Sequence, residues 1–214
     1  DRRAMGKATK YGRKEQETAW KNTEVDALYT LSDAGVNVPR PHGYFHGVLL
    51  MELVVDDAGY SAPRLGEVEL SAEQARRFHV ELMADVVRML CSGLIHGDLS
   101  EYNVLVTEQG PVIIDFPQVV SASGNNSARA MLLRDVHNIR DSLARFAPEL
   151  KDTHFGEEMW ALYEKGELVA DAKLTGKFTF ANHKANVHAV MMSIEDARQE
   201  AIIRQQGREA AEQD

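Results

Sequence analysis

The chain is poor in cysteine, with Cys91 the only one among 214 residues. A single thiol excludes an intrachain disulfide framework and every zinc site built on several cysteines, and it suits a reducing compartment, so a cytoplasmic setting is expected. Long apolar runs are also missing. No stretch approaches the roughly 20 residues of a membrane span, and Asp1-Arg2-Arg3 opens the chain without the apolar core of a signal peptide. A soluble protein with no membrane contact is expected. His183 and His188 are five apart with no glutamate between them, the wrong pattern for a helical zinc pair, and no G-x-S-x-G or Cys–His pair points to a covalent hydrolase. The opening residue is Asp rather than Met, which raises the expectation of a fragment or a processed product. What is present excludes a disordered polymer: 44% hydrophobic and 27% charged residues suffice for one large or two small domains with a core.

The net charge of -9 hides an asymmetry. Residues 1–21 hold seven Lys or Arg against three Asp or Glu, and the remainder holds 17 against 30. A basic arm on an acidic body could track a phosphate backbone such as RNA; the alternative is a solvated loop around Gly6 and Gly12.

Periodicity predicts a helix over 14–34, stopped at Ala34-Gly35, with Trp20, Glu24, Leu28 and Leu31 on one face. Glu24 then lies in an apolar stripe and needs a cation or donors unless the helix rolls it into water. Two short apolar segments, His42–His46 and Val48–Val54, flank Gly47 as a hairpin, and Asp56–Gly66 reads as a connection between subdomains. Ser71 and Gln74 form a capping box for a helix whose buried stripe is Phe78, Leu82, Met83, Val86, Val87 and Leu90, ending near Gly93. A second hairpin pairs 104–106 with 112–115 around Glu108-Gln109-Gly110-Pro111. Leu132, Val136, Ile139, Leu143 and Phe146 mark a core helix stopped before Pro148. The C-terminal third reads as helical, with Ser193 and Asp196 capping a last helix and a polar tail from Arg208 to Asp214.

The chemistry concentrates between 96 and 115. Asp98 follows a core helix, Asn103 comes five residues later at the start of a strand, and Asp115 ends the next strand. The ends of one hairpin are close in space, so Asn103 and Asp115 can converge on a hard cation. Mg2+ fits, since it takes one or two protein oxygens together with phosphate oxygens and water. Asp98 would stand beside the metal, placed to accept the proton of an attacking hydroxyl. D-x-x-x-x-N followed by D-F in this setting is a phosphoryl-transfer layout.

The run I-H-G-D-L-S-E-Y-N-V-L (95–105) with I-I-D-F-P-Q (113–118) resembles the RIO family of atypical serine/threonine protein kinases. Trp20, Glu24 and Leu28 resemble that family's helix C, Met51-Glu52-Leu53 its hinge, and Arg134-Asp135-Val136 its following helix, so the likeness spans 1 to about 146. It implies an α+β, protein-kinase-like two-lobed fold. Residues 1–55 would be a partial N-lobe (basic loop, helix C, last two strands, hinge), and 56–214 a mostly helical C-lobe with a C-terminal extension. It further implies ATP and Mg2+, with Mn2+ as the other suitable ion. Asp98 becomes the base, Asn103 and Asp115 the metal ligands, Glu52 and Leu53 the backbone edge meeting adenine, Met51 the gatekeeper and Glu24 the helix C carboxylate. His96 is expected to brace the loop rather than move a proton, and Asp135 to tie the loop to its helix. The charge of the basic arm, rather than the resemblance, makes RNA or the ribosome a candidate contact, and the protein substrate is left open.

Three departures from ordinary protein kinases matter. Gly97 stands where an arginine would pair with a phosphorylated activation loop, which removes that switch. No A-P-E follows Asp115, so the usual peptide-docking segment is missing. No glycine-rich phosphate loop or strand lysine precedes Glu24, which leaves that carboxylate without its expected partner and points to a separate N-terminal piece completing the lobe. The alternatives are an aminoglycoside- or choline-kinase-like small-molecule phosphotransferase, and a nucleotide-binding module inactive as this fragment. The Ser-Glu-Tyr filling and the Pro117-Gln118 sequel favour the RIO reading over the former.

Overall fold

The computed structural model describes residues 24–179, and those up to Phe178 belong to one compact unit. The basic arm, the predicted helix start with Trp20, the pair His183 and His188, and the Ser193 cap with its tail lie outside the described residues. Residues 24–33 form helix α1, which buries Val25, Leu28 and Leu31 and leaves Glu24 half-buried. Gly35 closes it at φ +73, a left-handed turn that lets Val36 N–H return to Leu31 O at 3.0 Å.

The antiparallel hairpin β1 (Pro41–Phe45) and β2 (Val48–Met51) pairs Tyr44 with Leu49. His46 and Gly47 both have positive φ, the two-residue turn whose twist suits paired strands. Strand β2 stops at Met51 rather than at Val54, because beyond it only Glu52 N–H reaches back, to Arg40 O at 2.8 Å. The segment between α1 and β1 is held by Asn37, whose N–H meets the buried Asp85 carboxylate at 3.3 Å and whose carbonyl accepts from Ile113 N–H at 2.8 Å.

Helix α2 (Ala72–Cys91) begins with the predicted reciprocal cap: Ser71 Oγ accepts from Gln74 N–H at 3.2 Å and Gln74 Oε1 from Ser71 N–H at 2.9 Å. Its apolar stripe is buried as expected and packs on α3 (Ala128–Leu143) and α4 (Phe155–Glu164). Between α2 and α3 run β3 (Leu94–Ile95), β4 (Val104–Thr107), β5 (Gly110–Ile113) and β6 (Val120–Ser121), with β3 paired to β6 and β4 to β5.

Further expectations need correction. Gly110 and Pro111 belong to β5 rather than to the turn: proline's missing N–H costs the ladder nothing there, and its carbonyl serves Asn37 Nδ2. Strand β5 also ends at Ile113, two residues short of Asp115. Phe146 lies past the end of α3 and is only partly buried. The C-terminal third is less helical than predicted among the described residues, because beyond α4 the chain lies as a strap held by Glu158, whose carboxylate accepts from Thr175 N–H at 2.9 Å and Gly176 N–H at 2.7 Å. Helices and strands occupy separate stretches, the α+β class expected. No helix among the described residues is long and apolar enough to cross a membrane.

Candidate active site

The loop after β3 is held from two sides. His96 is buried, with Nε2–H donating to Ile114 O at 3.0 Å and Nδ1 accepting from Asp98 N–H at 3.3 Å. One donor and one acceptor require the neutral ring, and burial pushes the imidazole below its ordinary pKa against the smaller pull of Ile114 O. The bracing role expected for His96 matches this geometry. From the other side, Asp135 on α3 accepts from Gly97 N–H at 2.8 Å and Leu99 N–H at 3.1 Å. Arg134 donates to Gly97 O, and Asn138 Nδ2 to Leu99 O at 3.0 Å. Burial pushes the Asp135 carboxyl up to about 6 even though the two N–H groups favour its charge.

Gly97 has a steric reason for its identity. Its φ is +83, and a Cβ there would lie 2.5 Å from Gln118 O and 3.0 Å from Met131 Cε. No larger residue fits that close approach of two backbones.

Asp98 emerges exposed between these fixed peptides, and its Oδ2 accepts from Gln118 Nε2 at 3.4 Å. Asn103 Nδ2 donates to Asp98 O at 2.9 Å, which occupies the amide nitrogen and leaves Oδ1 as the oxygen available to a ligand. Ile114 N–H meets Asn103 O at 3.0 Å and brings the two strand ends together. Asp115 then turns out of line at φ +71, a left-handed conformation that aspartate tolerates better than most residues.

Glu24, Met51, Glu52, Leu53, Asn103 and Asp115 all line one cavity of about 410 Å3. Asp98 does not line it and is joined to it through Asn103. Leu53 N–H and C=O have no backbone partner among the described residues, so this edge is open to a ligand. Burial, and secondarily the charge of Asp115, raises the Glu24 carboxyl above the usual carboxylate range. No cation pairs with Glu24 among the described residues. A second cavity of about 460 Å3 lies against α2 between Val80, Met83, Val87, Phe155 and Leu174, and none of the predicted site residues lines it.

The donor set suits a hard cation only in part. Asn103 Oδ1 and the Asp115 carboxylate are two hard oxygens, and no group of three or more His, Cys, Asp or Glu among the described residues could enclose an ion alone. That is the Mg2+ pattern, in which water and phosphate fill the remaining positions. Glu24 is raised chiefly by burial, and a dication held there would offset the smaller contribution of the Asp115 charge.

Sequence reasoning missed Gln118, Arg134 and Asn138 as parts of the site. The available signal for the last two was their spacing, since Arg134 and Asn138 flank the buried Asp135 at one and three positions on the same helix. Gln118 stood out only as the end of the I-I-D-F-P-Q run, and its contact with Asp98, 20 positions away, had no local signal.

The family described as RIO domain matches residues 1–155. The chain is 38% identical over 130 residues to the RIO-type serine/threonine-protein kinase Rio1 of Haloferax volcanii, an alignment covering 59% of this chain and 42% of that protein. It is 35% identical over 136 residues to the serine/threonine-protein kinase RIO1 of Chaetomium thermophilum, covering 59% and 26%. With the Rio1 of Thermoplasma acidophilum it shares 31% over 120 residues, covering 56% and 61%. The chain thus spans less than two thirds of these relatives. The match takes in α1, the hairpin, the braced loop and α3, and with it the chain belongs to the RIO family of atypical serine/threonine protein kinases, which have a kinase-like fold.

Proposed function

We propose that this chain carries the centre of a RIO-type serine/threonine kinase or ATPase that transfers the γ-phosphoryl group of ATP with Mg2+, Mn2+ being the substitute ion. One observation carries the reading: Asn103 and Asp115 line the same cavity as Met51, Glu52 and Leu53, and Asn103 turns its oxygen free by tying its nitrogen to Asp98. Residues 1–55 act as a partial N-lobe and 56–214 as the C-lobe.

In this reading Leu53 and Glu52 offer backbone groups to the adenine edge, with Met51 behind them. Asn103 and Asp115 hold the metal, which supplies charge neutralisation across the phosphates when bound. Asp98 takes the proton of the acceptor hydroxyl as its oxygen bonds to the γ-phosphorus; the bond from that phosphorus to the bridging oxygen breaks, and its electron pair leaves with ADP. Where the acceptor is water, the same step is ATP hydrolysis. Glu24 awaits a cation from outside the described residues, which a separate N-terminal piece would supply. The lack of a cation beside Glu24 among the described residues favours a second reading, a nucleotide-binding module inactive as this fragment. The basic residues 1–21 suit contact with RNA or the ribosome.

The test separates the two carboxylates. Asp115→Asn abolishes the Mg2+-dependent part of nucleotide binding in calorimetry, because a full charge facing the dication is lost. Asp98→Asn keeps nucleotide affinity but lowers turnover by about 10² to 10⁴. Undiminished affinity of Asp115→Asn at saturating Mg2+ overturns the metal assignment.

A further inference from the structure

The ladder between β3 and β6 pairs Leu94 with Ser121 and Ile95 with Val120. Carried two residues further, the same register sets Gly97 opposite Gln118. The chain does keep these positions in contact, since the Gln118 carbonyl would lie 2.5 Å from a Cβ on residue 97. Yet the ladder cannot continue there, because the N–H and C=O of Gly97 are already taken by Asp135 and Arg134. What crosses the gap is the Gln118 side chain, whose Nε2 reaches Asp98 Oδ2 at 3.4 Å. Residues 117–118 form a turn closed by Val119 N–H on Phe116 O at 3.2 Å, so the glutamine is fixed at its base by backbone on both sides.

We infer that Gln118 is a positioning residue for phosphotransfer, holding one oxygen of the Asp98 carboxylate so that the other faces the acceptor hydroxyl. The inference rests on the proposed role of Asp98 as base. A carboxylate attached by one rotatable bond presents either oxygen in many orientations, and an amide donor on Oδ2 selects one of them. Every other fixing contact in this loop acts on backbone: Asp135, Arg134 and Asn138 hold peptides 97 and 99, and His96 holds the Asp98 N–H. Gln118 is the one side chain of the described residues seen to restrain the carboxylate itself. A long, loosely aligned bond is expected before the acceptor binds, since such contacts tighten in the reactive complex. The proton passes from the acceptor hydroxyl to Asp98 Oδ1; Gln118 keeps its own protons throughout.

The test uses the 214-residue chain and two readouts. In nitrogen-15 NMR, the side-chain amide resonances of Gln118, assigned by their loss in Gln118→Leu, shift when Asp98 is changed to Ala. Resonances that stay in place overturn the proposal whatever the turnover. In kinetics, Gln118→Leu lowers kcat about tenfold and leaves the KM for ATP unchanged within about twofold, because the residue stands outside the nucleotide cavity. In the Asp98→Asn background the same substitution adds nothing, since its effect runs through the carboxylate. A multiplicative loss in the double variant, or an undiminished kcat in Gln118→Leu, overturns the positioning role. Full turnover in Asp98→Asn alone instead strikes the base assignment, a result separate from either.

Discussion

The two walls of the cavity lined by Asn103 and Asp115 are built differently. On one side, the loop from His96 to Asn103 is fixed by side chains of α3 and by His96, and its neighbours Leu99, Val104 and Ile113 are fully buried. On the other, the hairpin of β1 and β2 is a two-stranded sheet with Phe45, Val48 and Leu50 more than half exposed, followed by Leu53 at 71%. Two strands alone are marginal in water. Among the described residues, then, the groups of the loop are held from within, whereas the hairpin leaves its apolar side chains uncovered. Glu24, half-buried with no cation among the described residues, lines the cavity beside that exposed hairpin.

The sharpest way to break the comparison is to loosen the rigid wall. Asp135→Ala leaves the N–H groups of Gly97 and Leu99, both buried residues, without acceptors, at about 1–3 kcal/mol each. Denaturant unfolding is expected to show a loss of about 2–6 kcal/mol. A loss under about 0.5 kcal/mol would mean that Arg134, Asn138 and His96 fix the loop without it.

A pH titration sharpens the same point, because two buried groups of the helical half oppose each other. His79, packed edge-on to Phe155 with ring centroids 5.1 Å apart, is pushed down to about 4 by burial and, less, by Arg140. Its folded pKa lies below the unfolded 6.5, so the unfolded chain binds the proton more tightly. Stability is then full above about pH 6.5 and falls as pH drops toward 4, by at most about 3 kcal/mol. Asp135, raised to about 6 from 3.8, has the opposite sign: the folded state binds its proton more tightly, so this group adds stability as pH falls through 6 toward 4. His79→Phe keeps the ring contact and removes the buried Nε2 that has no hydrogen-bond partner among the described residues. This variant is expected to lose the acid decline between pH 6.5 and 4 and to expose the Asp135 gain. An unchanged acid slope in His79→Phe would place its origin elsewhere.

What could be read from the sequence follows the same division. Local signals carried the helical half: the Ser71 and Gln74 cap, the stripe from Phe78 to Leu90 and the spacing from Leu132 to Leu143 all form as expected. The residues converging on the cavity were legible because D-x-x-x-x-N and D-F are short and lie on one hairpin. Less legible were features set by tertiary approach. Pro111 reads as a turn residue until Asn37, 74 positions away, is seen to use its carbonyl. Gly97 reads as a missing arginine until the Gln118 backbone is found against it. The end of β2 at Met51 could not be read from composition, since Leu53 and Val54 are apolar enough to continue a strand, yet beyond Glu52 the backbone leaves β1 and Val54 O accepts from Ala62 N–H instead.

The smallest expected effect tests the exposed side, and its size is the point. Leu50 and Leu99 are the same residue type, yet Leu50 is 55% exposed on the hairpin and Leu99 is 0% exposed beneath the braced loop. Leu99→Ala removes packed methyl groups and leaves a cavity, a change of about 2–5 kcal/mol in other cores. Leu50→Thr replaces an exposed side chain on a strand with one of good strand propensity, so unfolding stability should change by no more than about 0.5 kcal/mol. The same substitution gains weight once the hairpin is covered: titrated with an N-terminal piece that stabilises the chain, Leu50→Thr should weaken that stabilisation, because the apolar area it removes is then part of a packed surface. If Leu50→Thr alone costs as much as Leu99→Ala, the hairpin is already covered within this chain, and the contrast between the two walls fails.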